Sequence, residues 1–264
     1  MASSQSNFMS YLPVDGRPTE DDTEIRVWYG PTALYIGIIA HEVHGKVRST
    51  LADRDNLDNE DYVLIVLDTY NDKRSAFTFA VNPFGQQADG ILTDRTSTGR
   101  QSSLPFRVDD NPDYVFISRG RLTDEGFTVE VKIPFKSLRY QNTVTQNWGF
   151  NVLRRVQHSG YWSVMGNTRL GMASFLGQGG QLIDMTGFER GRVFDINPEI
   201  RGALERGADD KEFDSEMTDP VGFNVRYGWS SNVGINATVN PDFSQIEADV
   251  AQINYDPRRS LYFP

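Results

Sequence analysis

No stretch of this 264-residue chain keeps a helical period for more than two turns, whereas short runs of alternating apolar and polar residues recur throughout, punctuated by Gly, Pro, Asn and Asp. Alternation of period two gives a strand one core face and one outer face, so the chain is predicted to be all-β. Predicted strands are Thr23–Tyr29, Ala33–His41, Val47–Leu51, Tyr62–Asp68, Ala76–Val81, Tyr114–Leu122, Gly126–Ile133, Trp148–Val156 and Tyr161–Val164. Gly30-Pro31 and Asp124-Glu125-Gly126 supply tight turns between neighbours. Tyr62 to Leu67 is apolar on both faces, which suits a central strand covered by a second sheet on one side and by loops or a neighbouring element on the other. Strands of this number and length predict an antiparallel β-sandwich, with one helical or 3₁₀ turn at Lys136–Tyr140.

The character changes after about Met185. Phe194, Ile196, Pro198, Ile200 and Leu204 alternate with Asp195, Asn197, Glu199, Arg201 and Glu205. Val221, Phe223, Val225, Tyr227 and Trp229 then share one face, and Val233, Ile235, Ala237 and Val239 follow a turn at Ser230-Ser231. Apolar residues opposite a Gly, Asn, Arg or charged face fit the lipid and lumen sides of a transmembrane β-hairpin. Arg206 to Pro220 reads as a long acidic loop. We therefore expect residues 1–185 to form the sandwich and residues 186–264 the first strands of an incomplete membrane-type barrel. The stop at Leu261-Tyr-Phe-Pro264 reads as a truncation, or as the end of an N-terminal fragment.

A net charge of −10 argues against a nucleic-acid partner. The absence of cysteine removes disulfides, zinc–thiolate sites and thiol nucleophiles. No run approaches the roughly 20 apolar residues of a membrane helix, and MASSQSNF lacks the basic and apolar regions of a signal peptide. Only His41, His44 and His158 offer imidazoles, and no Gly-x-Ser-x-Gly, His-Glu-x-x-His or P-loop motif is present. Scarce histidine and the lack of Cys-x-x-Cys-His also speak against haem.

Several segments carry a family resemblance. They are Thr23-Glu-Ile-Arg-Val-Trp-Tyr29 with Ala33-Leu-Tyr-Ile-Gly37, Asp61-Tyr-Val-Leu-Ile-Val-Leu-Asp-Thr-Tyr-Asn-Asp72, Val81-Asn-Pro-Phe-Gly85 and Gly126-Phe-Thr-Val-Glu-Val-Lys-Ile-Pro-Phe135. Trp148-Gly-Phe-Asn151 with Arg154-Arg155, and Thr238-Val-Asn-Pro-Asp-Phe-Ser-Gln-Ile-Glu-Ala-Asp249, extend it from about Pro13 to Pro264. The chain resembles bacterial envelope proteins in which a domain similar to the family 9 carbohydrate-binding module precedes an outer-membrane-type β-barrel. That resemblance implies a carbohydrate ligand held between aromatic side chains, often beside calcium, and a link to polysaccharide breakdown or uptake. It also implies an envelope location, in the outer membrane or periplasm.

Sugar recognition needs flat aromatic faces with polar groups beside them. Trp162 with Tyr161, in a polar stretch, reads either as such a platform or as a cap packed under a loop. Trp148 is expected in the core, and Trp28 lies on the strand face opposite Ile25, Val27 and Tyr29. Asp89, Asp94 and Arg95 fall in the polar stretch Gln86 to Ser103, a candidate wall for the site. Asp53, Asp55, Asp58, Glu60 and Asp61 crowd the loop before the central strand, and read either as a calcium cage of hard oxygens or as a solvated acidic loop. Asp68-Thr-Tyr-Asn-Asp72, Asn82-Pro83 and Asn240-Pro241 read as turns. The favoured expectation is noncatalytic carbohydrate binding. A second reading is a structural plug or docking module of an outer-membrane channel or assembly protein. A third is a glycoside hydrolase, for which these residues supply no identifiable acid and nucleophile.

Overall fold

The structure, a computed structural model, describes residues 3–51, 53–57, 59–93, 107–172, 174–189, 194–200, 203–205, 214–216, 221–230 and 233–240. Its contacts divide the chain into two compact units, Met1–Gly191 and Arg192–Pro264.

In the first unit the strands are β1 (Ser3–Gln5), β2 (Phe8–Leu12), β3 (Thr23–Tyr29), β4 (Ala33–His41), β5 (Tyr62–Asp68), β6 (Ser75–Val81) and β7 (Gln87–Thr93). They continue with β8 (Arg107–Asp109), β9 (Ile117–Thr123), β10 (Gly126–Pro134), β11 (Gln146–Val156), β12 (Tyr161–Met165) and β13 (Gly180–Met185). Five of them form one sheet in the order β1-β3-β4-β10-β9, and the rest form a second in the order β2-β12-β11-β5-β6-β7-β8, where β13 also pairs with β11. Every pairing is antiparallel.

Period-two alternation builds the space between the sheets. Leu34, Ile36, Ile38 and Ala40 of β4 and Phe127, Val129, Val131 and Ile133 of β10 point inward, against Val63, Ile65 and Leu67 of β5 and Trp148, Phe150 and Val152 of β11. Burying each Val, Leu, Ile or Phe contributes about 1.5–3 kcal/mol. β5 is buried on its other face too, where Leu64 and Val66 meet Leu153, Trp162 and Val164 under the loop residues Leu57, Phe175 and Leu176. The two-faced apolar run therefore marks the middle of the larger sheet, as its sequence predicts.

Several segments differ from expectation: β9 begins at Ile117 rather than at the predicted Tyr114, and β1, β2, β8 and β13 are not among the predicted strands. Val47–Leu51, predicted as a strand, joins no ladder. Its alternate N–H groups go to side chains instead, Lys46 to Glu42, Arg48 to Asp61 Oδ2 at 2.6 Å and Thr50 to Glu60 Oε2 at 2.6 Å. Within the polar stretch Gln86 to Ser103, residues 87–93 form β7 between β6 and β8, while 94–103 lie outside the described residues. The first unit also runs past the predicted boundary at 185/186: Phe188 stacks on Phe135 at 3.9 Å, and Glu189 N–H donates to the Pro31 carbonyl at 2.7 Å.

The Asn82-Pro83 turn is built as its residue types suggest. Asn82 Oδ1 accepts from the Phe84 and Gln86 N–H groups at 3.0 and 2.9 Å, and Gly85 takes φ +82°. This turn lies against β9, where a Cβ on Gly120 would fall 2.4 Å from the Pro83 carbonyl oxygen and 2.5 Å from Gly85 N.

In the second unit β14 (Phe194–Ile200), β17 (Val221–Ser230) and β18 (Val233–Val239) form an antiparallel sheet, and β15 (Ala203–Glu205) pairs with β16 (Asp214–Glu216). The hairpin read from alternation is present, with Phe223 opposite Val239, Val225 opposite Ala237 and Tyr227 opposite Ile235. Among the described residues this sheet is open, and the rest of the predicted acidic loop and the Val239-Asn-Pro-Asp-Phe243 run past Asn240 lie outside them.

Gly120 and Gly37 provide a paired test of packing. Overpacking a site bounded by rigid backbone costs about 1–3 kcal/mol, so Gly120→Ala should lower stability by that amount in denaturant unfolding. A Cβ on Gly37 meets nothing within 4 Å, and Gly37→Ala should leave the unfolding midpoint unchanged.

Candidate functional site

Among the described acidic residues before β5, Asp55, Glu60 and Asp61 turn to different partners. Glu60 and Asp61 are buried and turn their carboxylates to polypeptide: Glu60 accepts from Thr50 N–H and Oγ1, and Asp61 from the Arg48 and Gln157 N–H groups. Asp55 lies elsewhere, its oxygen grouped with those of Asp89 and Asp113 within 4.8 Å. Asp53 is exposed, and Asp58 lies outside the described residues. The Arg54 guanidinium enters the Asp55, Asp89 and Asp113 group, donating to Asp89 and standing 3.6 Å from Asp55 and 3.3 Å from Asp113. A tethered cation thus stands among the Asp55, Asp89 and Asp113 carboxylates, while Glu60 and Asp61 are engaged by polypeptide donors.

Asp89, expected in the wall of a binding loop, is a buried structural acceptor in β7. It receives the Tyr114 N–H and Arg54, while burial, the largest influence, pushes its carboxyl above the ordinary range. Arg95 and Asp94 lie outside the described residues.

A second charged group sits where β3, β5 and β11 meet. Arg154 is fully buried, its Nη1 donating to the Asp22 carbonyl at 3.2 Å and Thr23 Oγ1 at 3.1 Å, with its guanidinium 5.5 Å from the Phe127 ring centroid. Nε and Nη2 have no hydrogen-bond partner among the described residues. Burial lowers the Arg154 pKa, against the through-space pull of Asp21, Asp61 and Glu42. For Asp61 burial is again the largest influence and raises the pKa, opposed by two N–H donors and by Arg154.

Trp148 is buried in the core and Trp28 is exposed, as expected, and of the two readings of Trp162 the structure shows the cap packed under loops. Trp162 is 4% exposed, packed edge-on against Tyr62 at 5.5 Å in the cluster on the outer side of β5. Its ring has no face free for a sugar, because β12 lies inside the larger sheet between β2 and β11 and loop residues cover that side. Tyr161 beside it is exposed, at the strand end, without an aromatic partner among the described contacts. The exposed platform is on the other sheet. Trp28 of β3, 52% exposed, stacks on Tyr35 of β4 with centroids 4.5 Å apart and planes 18° from parallel.

Register extends this pair into a surface. Trp28, Tyr35, Lys132 and Ile117 form one row across β3, β4, β10 and β9, Arg26, Gly37, Glu130 and Arg119 the next, and Glu24, Ile39, Thr128 and Arg121 the one beyond. Lys132 Nζ lies 5.7 Å from the Tyr35 ring centroid. Gly37 leaves the centre of the surface open beside the rings, flanked by Arg26 on one side and Glu130 and Arg119 on the other. Past Ile39 the same face meets a cleft of about 320 Å³ lined by His41, Thr123, Asp124, Glu125 and Thr128. Alternation in Thr23–Tyr29 already directs Trp28 outward; its meeting with Tyr35 depends on the β3–β4 register.

No protein-family model and no curated protein matches this chain. Among solved structures, the chain is similar to a family 9 carbohydrate-binding module from Caldicellulosiruptor kristjanssonii in complex with glucose, at 13% identity over 69% of this chain and 83% of that one, with a TM-score of 0.46. The same module in complex with cellotriose gives 13% identity over 67% and 82%, with a TM-score of 0.43.

Arg154 generates a pH-dependent prediction. Asp61 has a folded pKa above its ordinary 3.8, so the folded chain holds this proton more tightly than the unfolded chain. Stability from this group is full below 3.8 and falls as pH rises through the folded value. Arg154→Met removes the buried cation whose through-space pull offsets the charge of Asp61, together with its hydrogen bonds to the Asp22 carbonyl and Thr23 Oγ1, and should lower stability. Denaturant unfolding should show that loss near neutral pH, with the gap to the parent narrowing in mild acid as the carboxylates take up protons.

Proposed function

We propose that the first unit is a noncatalytic carbohydrate-recognition module whose ligand lies on the outer face of the smaller sheet. The observation that carries this reading is the exposed Trp28–Tyr35 stack beside the open floor at Gly37. A pyranose presents C–H groups on its flat face, which pack on an aromatic ring, and hydroxyls around its rim. Arg26, Arg119 and Lys132 can donate to those hydroxyls and Glu130 can accept from them. The cleft beyond Ile39 lengthens the surface for an oligosaccharide. The sequence resemblance supports a role in polysaccharide breakdown or uptake at a bacterial cell envelope.

Calorimetric titration of the full chain with a glycan panel tests this. At least one glycan should bind, and Trp28→Ala should weaken it by tenfold or more, about 1.4 kcal/mol, with unchanged circular dichroism. Gly37→Phe, which fills the floor, should do the same. Absence of heat with every glycan, or affinity indifferent to both substitutions, would contradict the proposal.

A second reading concerns the second unit. Phe194 and Ile196 of β14, Val221 and Phe223 of β17 and Ile235 and Val239 of β18 are exposed, and strand register brings their rows together on one side of the sheet. A continuous apolar face opposite a polar one favours strands that face lipid, and supports the outer-membrane partner implied by the resemblance. The full chain should then float with phospholipid vesicles. Phe223→Arg with Ile235→Arg should abolish flotation, since a cation on a lipid-facing strand costs about 2–4 kcal/mol at mid-bilayer, and glycan affinity should be unchanged.

A further inference from the structure

We propose that Glu42, His44 and His158 form a binding site for a divalent transition-metal ion of the zinc type. The chain has three histidines, and two of them, far apart in sequence, come together with ring centroids 5.6 Å apart. One ligand atom from each imidazole and one from the Glu42 carboxylate lie within 4.8 Å of one another. Glu20 is also close, its carboxylate 3.6 Å from His44 Nε2. Two imidazole nitrogens and one or two carboxylate oxygens are a donor set for zinc-like ions, whereas calcium takes oxygen alone.

The segments that present these groups are held in place by buried carboxylates. Glu42 accepts the N–H groups of His44, at 3.0 Å, and of Lys46. Asp21 accepts that of Val43 at 3.1 Å, and Asp61 that of Gln157 at 3.2 Å, so the backbone beside each histidine is fixed. The imidazoles themselves are exposed and can turn. Metal–ligand bonds of about 2.0–2.1 Å in a tetrahedron need donors about 3.3 Å apart, which rotation of half-exposed rings supplies.

The buried carboxylates Asp21, Glu42 and Asp61 surround one buried cation, Arg154. Arg54, which fills the Asp55, Asp89 and Asp113 group, has no counterpart among the described contacts of the histidine pair.

The test uses the full chain, tag-free and stripped with EDTA. Titration with Co²⁺ should give visible d–d absorption saturating at one equivalent, and Zn²⁺ should displace it and raise the thermal midpoint. His44→Ala and His158→Ala should each abolish the absorption and the thermal shift, while His41→Ala retains both. Circular dichroism of the metal-free variants reports folding, and His44→Gln and His158→Gln serve if an alanine variant fails to fold. No cobalt spectrum with the folded parent chain, or a spectrum that survives both histidine substitutions, overturns the proposal.

Discussion

A strand buried on both faces needs cover on both, and β5 imposes that demand on the whole first unit. One face is met by the smaller sheet through Leu34, Ile36, Val129 and Val131, and the other by loop residues Leu57, Phe175 and Leu176. Loops used as a lid bring polar backbone close to the core, and buried N–H groups need acceptors. Glu42, Glu60, Asp61 and Asp68 provide them, which accounts for buried carboxylates in an acidic but otherwise ordinary sandwich. Since desolvation is the largest influence on Asp61, Asp68 and Asp89 and raises each of them, these groups are structural acceptors that carry an electrostatic cost.

That cost divides the molecule by role. The larger sheet is closed on both sides around β5, and its charged residues serve the closure. Among the described residues of the first unit, the smaller sheet is covered on one face, and Trp28, Tyr35, Arg26, Glu130 and Lys132 lie on the other. At the margin of the lid, the carboxylates that pin the backbone at Val43, His44 and Gln157 also set the positions from which two imidazoles reach each other.

Strand positions were legible where alternation was bounded by turn residues, as at Thr23–Tyr29 and Ala33–His41, and where an apolar run marked a strand covered on both faces, as at Tyr62–Asp68; all three match residue for residue. Val47–Leu51 has the same local pattern, but its hydrogen bonds go to carboxylates, which periodicity cannot reveal. Trp162 left two readings open for a related reason, and the packed cap is the one present. Its polar neighbours suggest a strand end in water, yet β12 continues a sheet that loops cover, so the ring is enclosed. Trp28 was correctly directed outward by alternation, but only cross-strand register shows it stacked on Tyr35. The acidic run before β5 looked like one site because its residues are adjacent in sequence; the chain turn there sends Asp55 and Asp61 to different neighbours. His44 and His158 carry no shared sequence signal, since their meeting depends on the fold.

The central claim is that the ligand surface lies on the smaller sheet. Backbone amide chemical shifts of the isotopically labelled full chain, followed during titration with a glycan that binds, test it most directly. The account predicts shifts concentrated at Arg26, Trp28, Tyr35, Gly37, Glu130 and Lys132, with Tyr161, Trp162 and Asp89 unmoved. Shifts centred on Tyr161 and Trp162, with the Trp28 row unmoved, would contradict it.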